Sequence, residues 1–269
     1  MSLPLSYSQT DFLLGFHFSG STYFGDLAPD NKTGSFSKFH LGMGFLIEKE
    51  ILDHVSVSFN YDHATLSGDD KKSDVLERRI RNLSFISPID CITLIMKYRI
   101  PIAFQQKIGI QFGTGIAGFV FDPRATLNGQ LYRLQPLRTE GQGLVGRSLP
   151  YKLSKLALPM QLGLWIRLTS NIFLEPSLNY FYTNTDYLDD VSGDYADNDL
   201  LRKYKGTIAA DLADRHLEVL PNDIHYPAGQ GRGNPSRFDQ FLIFKLGVTF
   251  RLGESISSIP IKRVNCPFK

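Results

Sequence analysis

Nowhere in the 269-residue chain do about eighteen or more apolar residues run together, the least that a bilayer-crossing helix needs. That excludes spanning by helices and leaves spanning by strands open, because alternating strands average out in hydropathy. An excess of one charge is also missing. Lys and Arg number 29 against 27 Asp and Glu, a formal net charge of +2, which gives no reason to expect nucleic acid as a partner. The two cysteines and six histidines form no cluster with zinc spacing. At the start, Met1-Ser2-Leu3-Pro4-Leu5 has neither the basic region nor the long apolar core of a secretory signal. An exported barrel needs one, so the expectation is a signal removed and replaced here, or a true start further upstream.

What the chain does have is alternation. From Phe238 to Leu252 one face carries Phe238, Leu242, Phe244, Leu246, Val248, Phe250 and Leu252, broken only by Gln240. The other face carries Asp239, Lys245, Thr249 and Arg251. A period of two is a β-strand with one apolar and one polar side. Seven earlier segments repeat it: Phe12–Phe18, Phe39–Ile47, Val55–Tyr61, Ile92–Ile100, Ile108–Val120, Leu156–Leu168 and Ile172–Tyr182. Pro159 and Pro176 fall inside two of these, where a missing N–H predicts a bulge or local break.

Short turns near Lys49–Asp53, Pro101–Gln105 and Thr169–Asn171 alternate with long loops at about Gly25–Ser35, Leu66–Pro88, Asp122–Lys155 and Asn184–Arg237. That layout predicts an all-β fold, an eight-stranded antiparallel transmembrane β-barrel with long extracellular loops and short periplasmic turns. The barrel would occupy 12–252, between an N-terminal segment 1–11 and a tail 253–269, both termini periplasmic. A soluble barrel is the competitor. Roughly forty large apolar side chains on one face exceed what an eight-stranded interior holds, although a two-sheet sandwich could bury more. Small residues such as Gly15, Gly42, Gly44, Ser56, Ser58, Gly113 and Gly163 suit a narrow lumen on the opposite face.

The polar side chains projected inward are mixed in sign: His17, His40, Glu48, His54, Asp62, Lys97, Arg99, Lys107, Arg167, Glu175, Lys245 and Arg251. In a narrow interior such charges must pair, which predicts a plug and not a channel. Small barrels also host enzymes. His17 and Ser19 share the inward side, and Glu48 and His54 flank the first turn, yet nothing resembles a nucleophile elbow. No catalytic, cofactor-binding or metal-binding residue is assigned. The acidic stretch Thr185–Tyr195 does not match the calcium-loop spacing and reads as a solvated, hydrogen-bonded loop.

That stretch, TDYLDDVSGDY, resembles the PorG family, outer-membrane barrels of the type IX secretion system in Bacteroidetes. Similar segments lie in matching order: Tyr23–Leu27 (YFGDL), Leu66–Asp70 (LSGDD), Arg81–Phe85 (RNLSF), Phe121–Leu144 (FDPRATLNGQLYRLQPLRTEGQGL), Tyr151–Pro159 (YKLSKLALP) and Arg232–Pro235 (RGNP). The resemblance implies a non-enzymatic membrane component that anchors or positions a periplasmic ring of the lipoprotein PorK and its partner PorN. A lipid-modifying outer-membrane enzyme is the alternative.

Two regions could make contacts. The tail Gly253–Lys269 carries Lys262, Arg263 and Lys269 against Glu254. Its Cys266 has no evident partner, since Cys91 projects into the lumen, and an unpaired thiol in an oxidising compartment invites an interchain disulfide with a ring subunit. The loop 184–237, with ten acidic and six basic residues, is too long for a mere connection. It would cap the lumen or bind another secretion component, with Ala209–Leu220 as a short helix.

Overall fold

The structure of the protein, a computed structural model, describes residues 12–28, 39–103, 107–221 and 224–252. The segments 1–11 and 253–269, Cys266 among them, lie outside the described residues. Ten strands follow in chain order: β1 (Phe12–Phe24), β2 (His40–Leu52), β3 (Val55–Asp69), β4 (Ser84–Ala103), β5 (Ile108–Phe121), β6 (Arg124–Leu127), β7 (Gln130–Arg133), β8 (Ser154–Arg167), β9 (Ile172–Thr183) and β10 (Gln240–Leu252). All but β6 and β7 form a closed antiparallel barrel of eight strands, in which each wall strand pairs with its neighbours along the chain and β1 pairs with β10.

The period of two settles which side chains face where. Every outward apolar residue of the eight alternating segments is exposed or half-exposed, and none is buried. Cross-strand contacts tie this belt together, as between Phe45 and Tyr61, whose ring centroids lie 5.3 Å apart. The belt ends toward the long loops where His63 Nδ1 and the Tyr61 hydroxyl both reach Asp90 Oδ1, at 2.8 and 2.7 Å.

Both prolines interrupt the ladder as breaks without bulges. Between β5 and β8 pairing stops at Thr114↔Met160 and resumes in the same register at Ala117↔Ala157, skipping Pro159. Between β8 and β9 it stops at Gly163↔Ser177 and resumes at Ile166↔Leu174, skipping Pro176. Each proline stays paired on its other side, to Phe181 and to Leu246, so only the ladder that needs the missing N–H is lost.

Inside, Gly44 brings β2 close to its neighbours. A Cβ there would collide with the Tyr61 carbonyl oxygen and with His17 Nε2. Gly44→Ala should therefore lower stability by about 1–3 kcal/mol. The check is the urea midpoint of unfolding from lipid vesicles, and an unshifted midpoint would refute the close approach.

The long connections carry more structure than the alternation indicated. The third holds the β6–β7 hairpin, turned by Asn128 and Gly129 at φ 51° and 79°, the positive pair that a two-residue Asn-Gly turn requires. Among the described residues the loops also hold four short α-helices: α1 (Leu76–Arg81), α2 (Leu134–Leu137), α3 (Asn198–Lys205) and α4 (Thr207–Ala213). The expected helix over Ala209–Leu220 is thus shorter and earlier. It ends at Asp214, extended at φ −138°, whose carboxylate bonds His216 Nδ1 at 2.5 Å, the Tyr226 amide at 3.0 Å and His225 Nδ1 at 3.1 Å. Side chains that compete with the backbone in this way stop helices.

Candidate functional site: a plugged lumen under a packed cap

Polar residues on the inner face meet across the barrel axis. Glu48 on β2 accepts from Lys97 Nζ at 2.7 Å and Arg99 Nη2 at 2.5 Å, both on β4. Glu175 on β9 lies 3.6 Å from each of the same cations and accepts from Thr249 Oγ1 at 2.8 Å and Gln111 Nε2 at 3.3 Å. A second knot joins Asp62 on β3 to His17 Nε2 on β1 at 2.8 Å and to Lys245 Nζ on β10 at 2.7 Å. All of these side chains are buried. Buried charges hold together only when paired and hydrogen-bonded, and each carboxylate here meets at least two partners.

Not every inward projection holds. Lys107 and His54 are exposed at the turn end, because the strands have already given way to turns there. Glu50, assigned to the first turn from the sequence, belongs to the network instead, accepting from Arg99 Nη1 at 3.1 Å and Arg251 Nη2 at 3.3 Å. Its parity with Glu48 on one strand was the available signal. His17 and Ser19 form no dyad. The imidazole Nε2 is committed to Asp62, and the buried Ser19 hydroxyl has no hydrogen-bond partner. Glu48 and His54 are likewise not brought together. Cys91 is buried on β4.

Toward the long loops the interior is apolar. Tyr23, Leu27, Phe85, Phe119, Phe121, Phe181, Phe241 and Leu212 share one buried core, with the Phe181 and Phe241 rings stacked at 4.5 Å. Above it the loops are stitched into a lid. The Thr185–Tyr195 stretch is hydrogen-bonded, as expected, but it is not solvated: Leu188, Asp189, Asp190, Val191 and Tyr195 are all buried. Asp190 accepts from Thr139 Oγ1 at 2.5 Å and Tyr151 OH at 2.6 Å. Glu140 accepts from the Ser192 and Gly193 amides and from Arg232 Nη1. Arg81 bonds Asp70 and the Arg232 carbonyl.

The Tyr23 hydroxyl touches Asp189 Oδ2 at 2.6 Å and Asp239 Oδ1 at 2.8 Å. A phenol has one proton to donate, so the second contact requires a proton on a carboxyl group. Burial, together with the neighbouring Asp189 charge, indeed pushes Asp239 well above the usual carboxylate range. Burial raises Asp189 to about 7 with help from Asp26, Asp186 to about 8, and Asp190 to about 6 against the pull of Arg232. Among the described residues no group of three or more His, Cys, Asp or Glu side chains is placed to hold a metal ion.

A family profile described as "Domain of unknown function (DUF6089)" matches residues 2–211. The chain belongs to this family. The match runs from before β1 into α4 and stops short of β10, the strand that closes the barrel by pairing with β1. No curated protein matches the chain in sequence. Among solved structures it is similar to Ail of Yersinia pestis, at 11% identity and a TM-score of 0.43, covering 91% of this chain and 99% of that one. The outer membrane protein OprG of Pseudomonas aeruginosa has 9% identity and a TM-score of 0.43, over 91% and 97% of the two chains. A major outer membrane protein of Thermus thermophilus has 13% identity and a TM-score of 0.41, over 90% and 99%. Likenesses this distant say nothing of what the chain does.

Proposed function

We propose that the protein is a non-catalytic outer-membrane barrel that serves the type IX secretion system as a scaffold, anchoring or positioning the periplasmic PorK/PorN ring. The observation that carries the scaffold reading is the lumen itself. Ion pairs fill its middle and an apolar core with a stitched lid fills its loop end, so the barrel offers no passage for cargo. The continuous apolar belt supports a bilayer setting, since an aqueous protein rarely exposes so large a contiguous apolar surface. In that setting the three short turns face the periplasm and the lid faces outward. The secretion assignment rests on the resemblance to the PorG family, whose segments meet in the lid: Tyr23 and Asp26, Asp70, Arg81, Glu140, Tyr151, Asp189 and Arg232. Against the lipid-modifying enzyme stand the unbonded Ser19 and the burial of His17.

Pulldown of the tagged barrel from native outer membranes, with and without reductant, tests this reading. Recovery of PorK and PorN is the expected result, with a mixed-disulfide band that reduction and Cys266→Ser both abolish. Ring subunits without that band would remove the Cys266 contact alone. A barrel recovered by itself under gentle detergent would overturn the scaffold role.

A further inference from the structure

At the turn end the plug does not reach the rim. A cavity of about 660 Å³ opens there, lined by Arg99, Arg167, Arg251, Trp165, Glu50 and His54 among others. Its charges are uneven. Among the described residues that line it, three arginines face two carboxylates, Glu50 and Asp53, and Glu50 is already shared between Arg99 and Arg251. Arg167 makes no side-chain hydrogen bond or ion pair with any described residue. Its guanidinium lies over the Trp165 ring at 5.2 Å and the Phe173 ring at 5.8 Å, and its Nε is buried without an acceptor. Trp165 is 8% exposed and stacked on Phe173 at 5.0 Å, and its Nε1 also has no acceptor. A guanidinium with no counter-charge among the described residues, in a cavity where arginines outnumber carboxylates, suits an anion.

The planar fork of arginine matches a carboxylate, and the walls add Ile51, Leu52 and Pro101 to the arginines. A peptide side chain with an apolar stem suits that mixture better than a bare inorganic ion does. The chain's own Gly253–Lys269, three basic residues against one acidic, has the wrong sign to fill it. We propose that this basin binds the carboxylates of an acidic peptide segment presented by a partner protein on the turn side of the barrel. The placement of that partner rests on the scaffold reading above; the binding itself does not.

Trp165 is the only tryptophan in the chain, so its emission reports directly on the basin. The full chain, folded in detergent micelles, is titrated with end-capped tetraglutamate, tetralysine and sodium phosphate. The expected result is a saturable change in Trp165 emission with tetraglutamate alone, weakened at least tenfold in Arg167→Gln and less in Arg167→Lys. Because Arg167 holds no described ion pair, the variants should fold, which the gel mobility of unheated samples verifies. Calorimetry on the same variants gives an independent affinity. No response to tetraglutamate, an equal response to tetralysine, a phosphate affinity matching that of the peptide, or undiminished binding by Arg167→Gln would each overturn the proposal. Failure of the titration leaves the pulldown free to succeed, and the reverse holds as well.

Discussion

Glu48→Gln should destabilise the barrel by about 3–5 kcal/mol, the range for breaking a buried ion pair from one side. Glu48 is fully buried and serves two cations at once, Lys97 at 2.7 Å and Arg99 at 2.5 Å. With its charge removed, Lys97 keeps only Glu175 at 3.6 Å. Arg99 keeps Glu175 at the same distance and Glu50 at 3.1 Å. A neutral amide restores a hydrogen bond but not the charge, and in a lumen without bulk water the uncompensated cation dominates. Removing Lys97 as well restores the balance. The double variant Glu48→Gln/Lys97→Met should accordingly be more stable than Glu48→Gln alone, a coupling that a double-mutant cycle isolates. Urea unfolding from lipid vesicles, followed by Trp165 emission, measures all four species. Additive losses would show that the network is not coupled as the distances imply.

The wall of the barrel was legible because a closed sheet leaves a simple trace, a side-chain period of two repeated eight times. Even the prolines spoke clearly, since a missing N–H has one structural consequence at Pro159 and another of the same kind at Pro176. The β6–β7 hairpin carries an equally plain signal in Asn128-Gly129, although it lies inside a long connection whose neighbouring residues do not alternate cleanly. Glu50 is a similar case: it keeps the parity of Glu48 because β2 runs on to Leu52, past the point where the alternation of apolar residues fades.

The lid was not legible for a different reason. Asp, Gly and Ser in a run describe a solvated loop as well as they describe a buried one. What distinguishes the two is the partner, and the partners are remote: Tyr23 is 166 residues from Asp189, and Arg81 is 151 residues from Arg232. No local pattern encodes such pairs. The likeness to a known family marked these segments as belonging together without saying that they touch. The cavity at the other end was hidden likewise, because Trp165 and Arg167 read as ordinary strand residues until the barrel closed around them.

The proton that the Tyr23 contacts require leads to a second large effect, a lid that loosens as pH rises. Asp186, Asp189 and Asp190, raised by burial to about 8, 7 and 6, bind protons more tightly folded than unfolded. Stability from such groups is fully present below the ordinary carboxylate value. It is lost as pH climbs from there through the folded values, because the native state then holds more protons than the unfolded state. The window runs from about pH 4 to about pH 8, and a carboxyl group loses about 1.4 kcal/mol for each pH unit it crosses inside that window. Amide hydrogen exchange in 186–195, corrected for intrinsic base catalysis, should be faster at pH 8.5 than at pH 5 by at least about tenfold, the rate equivalent of about 1.4 kcal/mol. Asp214 supplies the opposite sign within the same lid. Burial alone would raise it, but hydrogen bonds from His216, the Tyr226 amide and His225 outweigh burial and lower it. Its contribution is present above the ordinary carboxylate value and lost as pH falls through the folded one, so 214–221 and 224–226 should open as pH falls below the ordinary carboxylate value, while 186–195 is at its tightest. Uniform acceleration of both segments in either direction would contradict the assignment, since one lid could then not hold carboxylates of both kinds.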